Sequence, residues 1–482
     1  MYRVIKTLLI ICALWFAAPV VASDQETKAL LKNISRQMAE LQAKSAASER
    51  RIQELETKLA EEQAKNRQVV SLPKNETPVA ADTSVATPAL SVIDTKPLDI
   101  KSTPRPPVTL GDVKNTLKIP GSDTSIGIGG YVKLDINESS VGTNTTATGV
   151  GDYTMDYPKI PVGARSSGTN NQLAFSARET RLWLKSFTPS HWGDINTYVE
   201  VDFYGTAYSY APNLRHAYGS FGNLLAGQTW TSFLNDSALA DTLDNTGPAG
   251  VPKIRQAQLR WTQPFSIGGE HFELIGALEA PRSYIATQTP VLYSTPGYNR
   301  YPDLISRLNY KTDWGNLSLA AMARDIRYAG TPQPARTVNQ LGGALSLAGK
   351  IDVLSLDNIR FMLNYGNVLG AYIFDTPFED AILNARGGLQ LVNVYSGMLA
   401  YQHWWADKWR SNLVYGFEQA DRPLSLTSNL FTQQVQSLHF NLLWNPLPQA
   451  TLGMEYIYGS RTLVDGGNGN ISRAQLSAKY SF

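Results

Sequence analysis

From about Ile119 to the last residue, apolar and polar side chains alternate one by one in short runs. "YVKLDIN" sets Val132, Leu134 and Ile136 against Lys133, Asp135 and Asn137. "NTYVEVDFY" sets Val199, Val201 and Phe203 against Glu200 and Asp202, and "QAQLRWT" sets Ala257, Leu259 and Trp261 against Gln256, Gln258 and Arg260. "LIGALE", "NIRFMLNY", "RSNLVYGFE" and "SLHFNLLW" repeat the pattern, and "SRAQLSAKYSF" carries it to Phe482 with no polar tail. Period-two alternation makes strands with two unlike faces. Counted along the chain, the runs predict an all-β, 16-stranded antiparallel domain over residues 119–482.

A soluble sandwich alternates in the same way, so the connections decide between the two. They run short, long, short, long. Brief ones lie near Pro189, Gly222, Pro264, Thr312, Trp405 and Pro446, and long ones at 138–171, 231–254, 280–302, 367–387 and 419–434. An up-and-down transmembrane β-barrel with short periplasmic turns and long outer loops predicts this asymmetry. Trp192, Trp314, Trp404, Trp405, Trp409 and Trp444 fall beside the short turns, as one interfacial girdle requires. Tyr204, Tyr208, Tyr210, Tyr328, Tyr365, Tyr372 and Tyr458 fall near the long loops, as the opposite girdle would. The terminal strand is then expected to pair with the first and close the barrel.

The periodicity before the barrel is different. Leu31, Ile34, Met38, Leu41, Ser45, Ser48, Ile52, Leu55 and Leu59 are spaced alternately three and four apart, which predicts an α-helical coiled coil over residues 24–67. At 1.5 Å per residue it would reach roughly 60 Å. A proline-rich linker follows over 68–118, with Pro73, Pro78, Pro88, Pro97, Pro104, Pro106 and Pro107. Residues 1–22 read as a signal peptide, with Arg3 and Lys6 before the apolar run and small residues near Ala22. The expected location is the bacterial outer membrane, with the N-terminal region in the periplasm.

Composition narrows the chemistry. The one cysteine, Cys12, lies in the apolar leader, so disulfides and thiolate metal sites are not expected in the exported chain. With 43 basic and 41 acidic side chains, nothing points to nucleic acid. His191, His216, His271, His403 and His439 are scattered, without metal-ligand or triad spacing, so no enzyme, no metal site and no cofactor is expected.

Sixteen strands leave an aqueous lumen whose inward side chains set selectivity. By alternation the wall gains Lys133, Arg181, Lys185, Arg260, Arg307, Lys311, Arg324, Arg360, Arg410, Arg473 and Lys479. Against them stand Asp135, Glu200, Asp202, Glu273, Glu279, Glu418 and Glu455. Arginine's planar fork suits carboxylates and phosphates. Each arginine either presents that fork to anions or pairs with a neighbouring wall carboxylate, and the excess of base tips the wall towards anionic solutes. Arg181, Lys185, Arg260, Arg307, Arg324, Arg360, Arg410 and Arg473 are the candidate channel-lining residues. The loop after the fifth strand carries Asp236, Asp241 and Asp244, with Gly247 and Gly250 as hinges. Folded inward, it would face the wall arginines and set a transverse field across a constriction; folded outward, it would be a surface loop.

"IPGSDTSIGIGGYVKLD", "RETRLWLKS", "LRHAYGSFGNLLAGQTWTSF" and the terminal "YSF" resemble the DcaP-like outer-membrane porins across nearly all of residues 119–482. "GNLLAGQTW" is the most specific of these pieces. The resemblance implies a homotrimer of sixteen-stranded channels with a periplasmic coiled coil and an inward third loop. It also implies an arginine-lined eyelet that passes small organic anions such as dicarboxylates.

Two functions follow. The first is passive, partly selective diffusion of small, anionic solutes. The second is structural: the coiled coil spaces or tethers the outer membrane to peptidoglycan or periplasmic proteins.

Overall fold

A computed structural model describes residues 109–143, 153–163, 170–205, 209–286, 295–296, 299–329, 337–354, 356–375, 378–384, 386–422 and 431–482. The signal peptide, the heptad segment and nearly all of the linker lie outside them.

The strands are β1 (Ser125–Val141), β2 (Asn170–Ser176 resuming as Arg181–Thr188), β3 (Ile195–Asp202) and β4 (Asn213–Phe221). They continue as β5 (Leu224–Trp230), β6 (Arg255–Ile267), β7 (Glu270–Glu279), β8 (Asp303–Thr312), β9 (Gly315–Ala329) and β10 (Thr337–Leu354). The last six are β11 (Asp357–Gly366), β12 (Asn393–Ala406), β13 (Trp409–Asp421), β14 (Thr432–Leu447), β15 (Ala450–Leu463) and β16 (Asn468–Ser481). Every neighbour pair is antiparallel, and β1 pairs with β16 from Tyr131 opposite Ser481 to Ser139 opposite Arg473. The sheet therefore closes, and no edge is left to seek a partner. Ahead of it, Leu117–Lys118 folds back onto Ser125 and Ile126.

The interior is polar and the exterior apolar, the reverse of a soluble domain. On β1, Lys133 and Asp135 are buried while Val132 and Leu134 are exposed. The same holds for Leu274 and Leu278 on β7, Leu345 and Leu347 on β10, and Phe440 on β14. In water so wide an apolar face would be unfavourable, and in hydrocarbon it is not. Trp192, Trp314, Trp405 and Trp409 stand exposed at the short-turn end.

Two features differ from the sequence expectation. Between its halves β2 breaks at residues 177–180, because other partners take its ladder bonds. Thr180 Oγ1 accepts from Lys133 N at 3.2 Å, and Arg178 O accepts from Phe203 N at 2.9 Å. The second difference is larger. The segments 280–302 and 367–392 are not simple outer loops. Tyr284–Ala286, Thr295–Pro296, Ala381–Leu383 and Leu389–Leu391 make a separate four-stranded sheet. Beneath it Val368, Leu369, Tyr372, Ile373 and Phe378 bury against the inward Ala320, Met322 and Ala344 of β9 and β10. Tyr372, expected in the interfacial girdle, is wholly buried, and its hydroxyl donates to Asp303 Oδ2 at 2.9 Å.

Candidate functional site: the loop across the lumen

Residues 231–254, between β5 and β6, fold into the barrel. The apolar side chains of this third loop make that favourable. Leu234, Ala238 and Val251 bury against Ala348, Met362 and Met398, which point inward from β10, β11 and β12. Asn235 caps the single 3-10 turn Asp236–Ala238 by accepting from Ser237 N at 3.2 Å.

Polar anchors around the wall hold the crossing. Lys133 Nζ donates to Leu243 O at 2.7 Å, and Leu243 N to Glu455 Oε2 at 2.6 Å. Asn441 Nδ2 donates to Asp241 O at 2.8 Å, Ala249 N to Ser437 Oγ at 3.0 Å, and Asn364 Nδ2 to Gly250 O at 3.3 Å. A buried backbone group in a lumen needs such partners as much as one in a core. One contact is backbone on backbone: at Gly416 on β13 a Cβ would stand 2.6 Å from Ala249 O, and at Gly250, with φ +81°, a Cβ would run into Phe417 O. Only glycine fits at both.

All eight candidate cations sit at inward positions of their strands, but the structure gives them different work. Arg324 is 1 % exposed, donating to Asp303 Oδ2 at 3.0 Å and Asp380 Oδ1 at 2.8 Å, so it ties the wall to the inner sheet and does not face open water. Arg473, wholly buried, donates to Ser139 Oγ at 2.9 Å and lies 3.8 Å from Asp244. Arg410 donates to Asp241 Oδ2 at 2.8 Å. Arg181 stands 3.6 Å from Glu200 and 3.9 Å from Glu179. Arg360 reaches Asn358 Oδ1 at 2.9 Å and the carbonyl of Leu239. Arg307 donates to the carbonyl of Leu234. Lys185 lies 5.3 Å over the Trp183 ring. Among the described residues Arg260, Arg307, Arg360 and Lys185 have no carboxylate in ion-pair range.

The loop acids divide as well. Asp244 is a buried staple that accepts from Gly247 N at 3.1 Å and Met155 N at 3.3 Å; burial holds its carboxyl above the usual range. Asp241 is spent on Arg410. Asp236 is exposed at the tip of the 3-10 turn, where it shares a cavity of about 460 Å³ with Arg260 and Arg307.

A model of the DcaP outer membrane protein family matches residues 114–482. The chain belongs to the DcaP outer membrane protein family. Among solved structures it is similar to the outer membrane channel DcaP of Acinetobacter baumannii, with 21% identity over 74% of this chain and 97% of that one, at a TM-score of 0.62. It is also similar to an anion-selective porin from Comamonas acidovorans (11% identity, 74% and 100% covered, TM-score 0.46). A third is OmpT of Vibrio cholerae (9%, 74% and 98%, 0.45). No curated protein matches. The barrel is thus of the porin type, in an outer membrane protein.

Within this DcaP-family barrel three cations escaped the alternation. Arg215 is the extra residue of a bulge, between the pairs Val201/Leu214 and Glu200/His216. The bulge turns it inward, where it donates to Glu200 Oε1 and Asp202 Oδ2, each at 2.7 Å. Those two acids are thereby hydrogen-bonded and partly offset, Glu200 also having Arg181 at 3.6 Å, so they oppose the positive charge of Arg260 and Arg307 less. Arg255 opens β6 with its guanidinium 5.1 Å over Trp230. Lys253 ends the third loop, donating to Asn245 O at 2.7 Å and Thr246 O at 2.8 Å, and burial brings its amine down to about 8.

Proposed function

We propose that the protein is a passive diffusion channel of the outer membrane that prefers small organic anions such as dicarboxylates, working as a homotrimer with its N-terminal region in the periplasm. One observation carries the anion preference. Arg260 and Arg307 border the same cavity without a carboxylate in ion-pair range among the described residues. The wall acids nearby are already committed. Glu200 and Asp202 serve Arg215, Glu273 serves Lys311 at 2.5 Å, and Glu279 accepts from Thr231 Oγ1 at 2.7 Å and Ser232 N at 2.6 Å. Two guanidinium forks and Asp236 on one cavity set opposite charges side by side in the passage, and a carboxylate crossing it exchanges water for charge-assisted hydrogen bonds.

Swelling of proteoliposomes loaded with protein tests this. Succinate is expected to enter faster than a neutral diol or a diamine of equal length. Equal rates for all three would reject the anion preference while leaving the channel.

A further inference from the structure

Across three neighbouring strands the lumen wall carries rings. Trp183 on β2, Tyr198 on β3 and Tyr218 on β4 all occupy inward positions and are half-exposed there. Trp183 and Tyr198 have centroids 6.3 Å apart with planes 27° apart, and Tyr198 and Tyr218, directly opposite in register, are 5.7 Å and 36° apart. These spacings exceed face-to-face contact, so the rings overlap in an offset row and each keeps part of a face open. The backbone makes room at both ends. The place of a Cβ on Gly129, the partner of Trp183, is filled by the indole, and Gly227, the partner of Tyr218, has φ +130° and no space for a side chain.

Interfacial aromatics of a barrel face lipid. Here the rings face the passage, and neither lipid contact nor core filling accounts for three in a row. Cations flank the row on both sides. Lys185 lies over Trp183, while Tyr198 and Tyr218 border the cavity of Arg260 and Arg307. Tyr198 is held in orientation by its hydroxyl, which donates to Glu200 Oε2 at 2.7 Å.

We propose that the Trp183–Tyr198–Tyr218 row selects ring-bearing organic anions over open-chain anions of equal charge, the carboxylate being handed along the cations while the ring slides over the aromatic faces. The proposal rests on the anion reading above and deepens it. A flat ring covers aromatic surface at little rotational cost, whereas an open chain must freeze several torsions to do the same.

Bi-ionic reversal potentials on the full chain in planar bilayers test the row, with benzoate, cyclohexanecarboxylate and hexanoate as probes. In the wild type benzoate is expected to exceed hexanoate in relative permeability by about threefold, the size of a modest stacking advantage. The ratio is expected to fall to unity in a Trp183→Leu/Tyr198→Leu/Tyr218→Leu variant and to persist in Tyr218→Phe, which keeps the ring. Heat-modifiable migration in detergent and discrete single-channel conductance steps of the triple variant show that the channel has folded. Equal benzoate and hexanoate permeability in the wild type, or a ratio that survives loss of all three rings, overturns the proposal. Cyclohexanecarboxylate following benzoate supports ring shape as the selected property, and its following hexanoate confines the preference to aromatic rings. Potassium preference in every variant would sink the anion reading instead.

Discussion

At the residue scale, cations of one sequence type hold opposite jobs. Among the described residues Arg260 and Arg307 border the cavity without a carboxylate in ion-pair range, whereas Arg324 is locked between two buried carboxylates. The Arg260→Ala/Arg307→Ala variant is therefore expected to keep its fold and lose most of the anion preference, read as a reversal potential moving towards zero. Arg324→Ala should do the reverse, because it strands Asp303 and Asp380. Breaking such a pair costs roughly 3–5 kcal/mol, so its barrel should unfold at markedly lower denaturant with selectivity little changed in surviving channels. Lys253 supplies a pH test. Its folded-state value of about 8 lies below the unfolded one, so carrying the charge costs stability below pH 8. That cost is relieved as pH rises through about 8 towards the unfolded value of about 10.4. Amine acylation followed by mass spectrometry should find Lys253 half-reactive near pH 8, and a midpoint like that of exposed lysines would contradict the lowered value.

At the element scale, the third loop is positioned by small wall residues as much as by charges. Gly416 lets the backbone of Ala249 and Gly250 lie against β13. Gly416→Val is expected to lift that end of the loop, giving larger single-channel conductance with weaker ion discrimination. Smaller conductance and sharper selectivity would contradict this placement. The strands themselves were legible from residue order, since the period of two put all the chosen wall cations on the inward face. The bulge at Arg215 was not, because one unpaired residue shifts the alternation after it without changing composition. The inward sheet was not read either, although "NVLGAYIF" from Asn367 to Phe374 is too apolar for a solvated loop, and Met362 and Met398 are apolar where a wet lumen would want polar groups. The partners of the arginines were out of reach: Arg410 meets Asp241 and Arg473 meets Asp244 only after the loop has crossed the lumen.

At the scale of the whole molecule, the pairing of β1 with β16 closes the channel wall between Ser125 and Ser481. Protein beginning near residue 115 is accordingly expected to conduct with the selectivity of the full chain. If the N-terminal segment instead tethers the membrane, its removal should loosen the envelope of cells while leaving conductance intact, and loss of conductance would contradict a self-sufficient barrel. Three-copy assembly should be visible as a detergent-resistant trimer that heat dissociates.

The most direct test of the central claim is the zero-current potential of the wild-type channel between unequal potassium chloride solutions. Arg260 and Arg307, with no carboxylate in ion-pair range among the described residues, predict the sign set by chloride crossing faster than potassium. The opposite sign would contradict the account.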